Sequence, residues 1–153
     1  MAYQKLQAGR ALAVINSNSI NIPNVGGPTV SGTTDGTTAN KLVDSTASFT
    51  SNLQGYIVYN TTDNTAATVT AVDDAGTLSL SANIMASGES YTLYADDNNG
   101  CVLYAGSGGN IRVLTTGNDD VTFVGVAPGA FIPVQVKRVF DSGTGPSDIV
   151  ALW

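Results

Sequence analysis

The sequence predicts an all-β protein, and three observations carry the prediction. Apolar and polar residues alternate in many short runs along the 153-residue chain, the pattern of strands that bury one face. Clusters of Gly, Asn, Asp and Pro separate these runs at short intervals, as the turns of antiparallel sheets require. Helix-period patterning is nearly absent. Together these features are typical of a small antiparallel β-sandwich or barrel module.

Each predicted strand is a run that alternates or is rich in β-branched and aromatic residues, which fit a pleated and partly buried surface. Residues 73–76 (Asp-Asp-Ala-Gly) and 98–100 (Asn-Asn-Gly) are typical of the turns between such runs. Residues 42–52 have the weakest strand pattern and leave room for a helical turn. In chain order, the predicted strands are residues 11–15, 19–22, 56–59, 66–72, 77–81, 91–94, 101–105, 110–114, 121–126, 131–140 and 148–152.

Two changes in composition divide the chain. Residues 24–38 are rich in Gly and Thr, and residues 95–100 are rich in Asp and Asn, so both stretches are typical of linkers. We therefore interpret residues 28–98 as a second, inserted β domain. Residues 1–25 and 99–153 then form one discontinuous β module. A single sandwich with two long loops is the alternative.

The composition predicts a surface that is polar but nearly uncharged. Only 12% of the residues are charged, about half of the ~25% usual in soluble domains, and 42% are hydrophobic. An uncharged surface is easily desolvated, which favours packing against other proteins; a solvated domain without a partner is the alternative. The net charge is −6 and the six Lys and Arg residues are scattered, so we expect no binding to nucleic acid.

The residues on which most enzymes and metal sites depend are scarce. The chain has no His and one Cys, Cys101, which excludes His-based catalysis, a zinc site and an internal disulfide. We expect Cys101 to be a small buried apolar residue. Three Asp pairs lie in predicted turns, where Asp caps backbone N–H groups; whether any of these turns binds calcium stays open. We expect no enzymatic activity and no cofactor, with a carboxylate-only polysaccharide depolymerase as the enzymatic alternative.

Membrane and export segments are also not expected. No stretch approaches the ~20 apolar residues of a membrane-spanning helix. The first apolar stretch, residues 11–15, is too short for the core of a signal peptide. We therefore expect a protein that is made in a host cytoplasm and does not enter a membrane.

Five residues are candidates for contact with a partner protein. Arg112 lies between two apolar residues of a predicted strand and so projects to the opposite face, where an Arg among uncharged residues is a favoured interface anchor; an ordinary solvated Arg is the alternative. The other candidates lie in an N-terminal arm, residues 3–10, and at the aromatic residue at position 153. The candidates are Tyr3, Lys5, Arg10, Arg112 and Trp153. In the inserted domain, tyrosines on predicted strands either pack internally or form a platform for a host glycan; they are Tyr56, Tyr59, Tyr91 and Tyr94.

The last third of the chain carries a family resemblance. Its motifs are Leu-Tyr-Ala-Gly-Ser-Gly-Gly-Asn-Ile-Arg-Val at 103–113, Asp-Val-Thr-Phe-Val-Gly-Val-Ala-Pro-Gly at 120–129 and Ile-Val-Ala-Leu-Trp at 149–153. In the order and spacing of these motifs, residues 101–153 resemble the head-spike base proteins of gene transfer agents and related virion proteins of tailed phages. The turn before the last strand departs from the family's Gly-Thr-Thr-Ala-like pattern, since it reads Gly-Thr-Gly-Pro-Ser at 143–147.

The resemblance implies a virion structural protein, either a capsid decoration (cement) protein or a head-spike base protein on the capsid exterior. The expected partners are the major capsid protein and further copies of the chain, as a homo-oligomer such as a trimer or pentamer. An acidic chain suits an exterior position because it has no attraction for packaged DNA. The alternative is an adhesin module of a phage head or tail appendage, whose inserted domain binds a host-surface glycan.

Overall fold

Apart from one short 3-10 turn, every regular element is a β-strand, which confirms the all-β prediction. The computed structural model describes residues 8–153, in which twelve strands form two six-stranded antiparallel sheets and no α-helix occurs. The chain divides into two compact units. Unit 1 combines the described residues up to Gly26 with Asn98–Trp153, and unit 2 is Gly27–Asp97.

In chain order the strands are β1 (Ala11–Ala13), β2 (Val30–Thr33), β3 (Lys41–Val43), β4 (Ile57–Asn60), β5 (Thr65–Asp74), β6 (Thr77–Leu80), β7 (Ser90–Tyr94), β8 (Cys101–Ala105), β9 (Gly109–Thr115), β10 (Asp120–Val126), β11 (Phe131–Val139) and β12 (Ile149–Leu152). The unit 1 sheet has the order β1-β12-β8-β11-β9-β10. The unit 2 sheet has the order β2-β7-β4-β5-β6-β3.

One face of the unit 1 sheet holds the core of that unit, because alternate residues of each strand turn to the same side. In β8, Cys101, Leu103 and Ala105 are buried, whereas the residues between them are half-buried. Cys101 is therefore a buried apolar residue, as predicted. The buried core residues are Ile22, Cys101, Leu103, Ala105, Ile111, Val113, Ile132, Val136, Val139, Ile149 and Ala151.

One of the two sheets is curled into a half-barrel. In the unit 1 sheet, β11 lies between β8 and β9 and pairs with both. Its first part pairs with β8, where Ile132 lies opposite Leu103, and its last part pairs with β9, where Val139 lies opposite Val113. Val136 pairs with both neighbours, and a register shift lies on each side of it.

The segment 19–22 is not a strand, so that prediction from its alternation was wrong. Ile22 alone enters the unit 1 core, and its backbone N–H donates to the Lys137 carbonyl at 2.8 Å. Side chains hold the rest of the segment: the Arg138 guanidinium donates to Asn21 Oδ1 at 3.0 Å and to the Asn18 carbonyl at 3.2 Å. These contacts provide hydrogen-bond partners for the segment, so it does not need to pair with a neighbouring strand.

Unit 2 is organised around β4, a central strand that is buried at all of its positions, Ile57–Asn60. Apolar residues of the neighbouring strands and of two loops pack with it. The core consists of Leu42, Phe49, Leu53, Val58, Ala67, Val69, Leu78, Leu80, Met85, Tyr91 and Leu93.

Two strands of unit 2 lie in segments that the sequence analysis interpreted differently. β2 lies in the Gly- and Thr-rich stretch 24–38 and pairs with β7, so that Val30 lies opposite Leu93 and Gly32 opposite Tyr91. β3 lies at the start of the weak segment 42–52, which also holds the 3-10 turn Ser51–Leu53. The interpretation of residues 24–38 as a linker was therefore wrong for β2.

Candidate interaction surface

Across β8 and β12, the face of the unit 1 sheet opposite its core is also apolar, and we call this part of the sheet the outer face. Its residues in β8 and β12 are Val102, Tyr104, Val150 and Leu152, all half-buried. An antiparallel sheet that meets water on its second face normally carries polar side chains there. An apolar outer face is instead typical of a sheet that packs against a second surface.

Large apolar side chains remain exposed at one end of the same sheet. Phe131 begins β11, is 61% exposed, and its ring lies 5.4 Å from the Tyr104 ring, centre to centre. In β10, Val124 is 78% exposed and Val121 is 39% exposed. β10 is an edge strand, so one row of its backbone N–H and C=O groups faces away from the sheet. We call Val121, Val124 and Phe131 the exposed apolar residues.

Arg112 projects from the face opposite the core, as predicted, and is engaged within unit 1. Its Nε and Nη2 donate to the two carboxylate oxygens of Asp120 at 2.9 and 2.7 Å. Its Nη1 donates to Ser142 Oγ at 3.1 Å, and its guanidinium carbon lies 4.4 Å from the Phe140 ring centre. The hydrogen bond from Arg112 lowers the pKa of Asp120. Arg112 therefore links β9, β10 and the loop after β11, while its side chain stays 34% exposed.

The structure brings together two of the other candidates, Arg10 and Trp153. Their backbones pair: the Arg10 N–H donates to the Trp153 carbonyl at 3.2 Å, and the Trp153 N–H donates to the Arg10 carbonyl at 3.0 Å. The Trp153 indole N–H donates to Asn98 Oδ1 at 3.0 Å, and its ring packs against the unit 1 core. Arg112 lies on β9, three strands from β12 in the sheet order. Tyr3 and Lys5 lie outside the described residues.

The pair Asp73 and Asp74 makes local contacts, and the single Cys is buried. Asp73 accepts a hydrogen bond from Lys41 Nζ at 2.6 Å, which lowers the pKa of Asp73, and Asp74 Oδ1 caps the Gly76 N–H at 2.8 Å. Burial raises the pKa of the Cys101 thiol to about 12, so the thiol is protonated at neutral pH. Within residues 8–153, no three His, Cys, Asp or Glu side chains converge to hold a metal ion.

The four tyrosines of unit 2 divide between the core and half-buried positions. Tyr91 is 2% exposed and Tyr59 is 3% exposed, so neither ring can stack on a sugar. Tyr56 and Tyr94 are half-buried, and the Tyr94 ring meets that of Tyr59 edge-on at 5.6 Å. A glycan platform on these strands is thus limited to Tyr56 and Tyr94.

Unit 2 holds a cleft that no local sequence pattern predicts. Its volume is about 250 Å³, and both Asp63 and Glu89 line it. Asp63 and Glu89 are far apart in the sequence, and neither belongs to an Asp pair. In the sequence they are only isolated acidic residues, and Glu89 is the single Glu of the chain. The other residues that line the cleft are Thr65, Asn83, Ile84, Met85 and Ala86.

Comparisons with protein-family models, curated proteins and solved structures found no match to this chain. In the part of the chain that the structure describes, no helix has the length and apolar character needed to cross a bilayer. A functional proposal therefore rests on the surfaces of the two units and on the resemblance of residues 101–153.

Proposed function

We propose that this chain is a structural protein of a tailed-phage virion, a capsid decoration or head-spike base protein that binds the outside of the shell and stabilises it. The outer face of unit 1 carries the proposal. It is apolar across β8 and β12, Phe131 lies exposed beside Tyr104, and Val124 is exposed on the same sheet; such surfaces suit packing against protein. The resemblance of residues 101–153 to head-spike base proteins points to the kind of partner.

Shell stabilisation follows from mass action. A protein that binds the assembled lattice, and not its separated subunits, shifts the equilibrium toward the lattice. A specific interface usually buries about 800 Å² per partner. Because the same contact repeats at many positions on a shell, a modest affinity at each position adds up to resistance against opening.

The charge distribution supports an exterior position. The net charge is −6, and among residues 8–153 Lys41 is paired with Asp73 and Arg112 with Asp120. Attraction to DNA depends on cations that neutralise phosphates. Little positive charge is therefore left to draw the protein to packaged DNA.

The test measures how the purified full chain binds shells of its own particle that were assembled without it. Val124→Asp and Phe131→Asp each place a carboxylate among the exposed apolar residues, and we expect each to weaken binding at least ~10-fold, because a desolvated charge is costly in an interface. Thr70→Asp is the matched control, since Thr70 is an exposed strand residue of unit 2. Circular dichroism and thermal unfolding verify that each variant is folded.

Two outcomes contradict the proposal. One is full binding by the folded Val124→Asp/Phe131→Asp double variant, which carries two charges among the exposed apolar residues. The other is absence of the protein from purified particles. Its copy number per major capsid subunit, measured by mass spectrometry, separates the two forms of the proposal: a decoration protein is near stoichiometric, whereas a spike base is confined to the vertices.

A further inference from the structure

β10 is the longest of the strands that end the two sheets. The other outermost strands within residues 8–153 are β1, β2 and β3, which have three or four residues, whereas β10 has seven, Asp120–Val126. An edge strand carries unpaired backbone groups that can pair with another chain, and short length is one common protection against this. β10 lacks that protection.

The hydrogen bonds between β9 and β10 show which backbone groups of β10 point away from the sheet. The Thr115 N–H donates to the carbonyl of Asp119, the residue just before β10, at 3.0 Å. In an antiparallel pair, opposite residues exchange hydrogen bonds at every second position. Val121 therefore bonds to β9, and the N–H and C=O groups of Asp120 and Thr122 face outward.

The backbone of Arg112 gives the same direction independently. Arg112 lies opposite Thr122 in the register of β9 and β10. Its N–H donates to Thr144 Oγ1 at 3.0 Å, and its carbonyl accepts from the Phe140 N–H at 2.9 Å. Both groups of Arg112 are thus engaged on the other side of β9, away from Thr122.

The side chains of β10 also leave this edge open. Asp120 is the only charged residue of the strand, and its carboxylate is paired with Arg112 at 2.7 Å. The strand has no Lys or Pro, which proteins commonly place on edges to block pairing. Residues 120–122 are exposed, and the register shift lies beyond them, between Phe123 and Val126.

We propose that β10 pairs with β10 of a second copy of this chain, antiparallel about a two-fold axis centred at Thr122. The strand is complementary to itself in this register. Thr122 lies opposite Thr122 of the second copy, and Val121 lies opposite Phe123, both of which are favourable cross-strand combinations. Asp120 lies opposite Val124, so the carboxylates of the two copies do not face each other.

A second copy fits this edge better than an unrelated strand, because one register serves the outward groups of both strands. A two-fold contact uses the same surface on both chains and closes at two copies. The inference therefore specifies a dimer, whereas the family resemblance implies a trimer or pentamer. It goes beyond the proposed function and does not depend on it.

The test measures the mass of the purified full chain by analytical ultracentrifugation from about 1 μM to about 500 μM, a range typical of modest affinities. We expect an equilibrium between one and two copies. Hydrogen exchange of single amides, read by NMR, identifies the contact. The Thr122 N–H is expected to become protected as the concentration rises, whereas the Val121 N–H, which bonds to β9, is protected throughout.

Two variants of Thr122 target the edge. Thr122→Pro removes an outward N–H and leaves the bonds to β9, since proline is tolerated where an edge N–H faces solvent. Thr122→Lys places like charges opposite each other. We expect each to weaken dimerisation at least ~10-fold. Thr122→Ser keeps the N–H and the hydroxyl and is expected to dimerise like the wild type, as is Thr70→Lys, the charge control in unit 2. Circular dichroism verifies folding.

A wild-type chain that stays monomeric throughout the concentration range overturns the proposal, and so does a trimer or pentamer. Unchanged dimerisation of the folded Thr122 variants, Pro and Lys, overturns it as well. Protection of the Thr122 N–H that appears only when shells are added to a monomeric chain assigns the edge to a capsid strand instead. Dimerisation of the free chain is measured without shells, so its failure is separate from failure of the proposed function.

Discussion

Asp44 is the one charged side chain that is buried among the described residues, and its hydrogen bonds explain how it is tolerated. Burial opposes its ionisation, but hydrogen bonds from Thr46 and Tyr91 outweigh this effect and lower the pKa of Asp44. The Tyr91 hydroxyl donates to Oδ2 at 2.7 Å, and the Thr46 hydroxyl donates to Oδ1 at 2.7 Å. Gly32 lies above this pair, where a Cβ would stand 2.5 Å from the Tyr91 hydroxyl oxygen. The close approach explains a glycine inside β2.

Removing the Tyr91 hydroxyl leaves the buried Asp44 carboxylate with one donor fewer. We expect Tyr91→Phe to lower the free energy of unfolding of unit 2 by about 1–3 kcal/mol, measured by urea unfolding at neutral pH. Tyr94→Phe is the matched control, because the Tyr94 ring contacts Tyr59 rather than a buried carboxylate. A Tyr91→Phe variant as stable as the control contradicts this role of the hydroxyl.

The same variant has a pH signature. The folded pKa of Asp44 lies below its ordinary value of 3.8, so Asp44 contributes stability that is fully present above 3.8 and is lost as the pH falls through the folded pKa. Tyr91→Phe removes a hydrogen bond to the ionised form, and we expect the NMR titration midpoint of Asp44 to rise. An unchanged midpoint argues against the Tyr91 hydrogen bond as a cause of the low pKa.

At the scale of elements, Arg112 joins two strands and a loop, which predicts a role in stability rather than in binding. Its side chain and that of Asp120 are 34% and 46% exposed, so we expect Arg112→Ala to lower the free energy of unfolding of unit 1 only slightly, because solvent screens an exposed ion pair. Arg112→Lys keeps the charge but loses the two-pronged contact, and restores only part of that stability. Urea unfolding of Arg112→Ala and Arg112→Lys measures these changes in the free energy of unfolding.

Capsid binding by the same two variants separates the two roles of Arg112. A folded Arg112→Ala variant with wild-type affinity for shells agrees with a role inside unit 1. A large loss of affinity with unchanged stability instead identifies Arg112 as an interface anchor.

Strands could be predicted where an apolar run is short and turn residues bound it. The prediction for β8 has the observed bounds, Cys101–Ala105, because that apolar run lies between Gly100 and Gly106. β2 was missed because its central residues are polar or glycine, and its pairing depends on β7, far along the chain. Residues 19–22 alternate in the same way as a strand, but long-range contacts to Lys137 and Arg138 hold them in another conformation.

The candidate interaction surface could also be predicted only in part. The direction of the Arg112 side chain follows from alternation alone. Its partner Asp120 does not, because that contact depends on the register of β9 against β10, in which Arg112 lies opposite Thr122. The cleft that Asp63 and Glu89 line depends on how a turn and a distant loop of unit 2 meet, and no local pattern encodes that.

At the scale of the whole molecule, each unit has its own core, which predicts separable stabilities. Leu103 of unit 1 and Leu78 of unit 2 are both 0% exposed. We expect Leu103→Ala to cost about 2–5 kcal/mol in unit 1, and Leu78→Ala a similar amount in unit 2, because each leaves a cavity in one core. Hydrogen exchange, read separately for β8 and β6, measures the two effects. Equal loss of protection in both strands, in either variant, contradicts separable units.

The pairing of β1 with β12 has a consequence for the order of events during synthesis. A ribosome releases the chain from its N-terminus, so the contiguous unit 2 can complete its sheet while β1 still has no partner. β12 must emerge before it can fill the gap between β1 and β8. The outer face, to which β12 contributes Val150 and Leu152, is therefore complete only after these last residues have been translated.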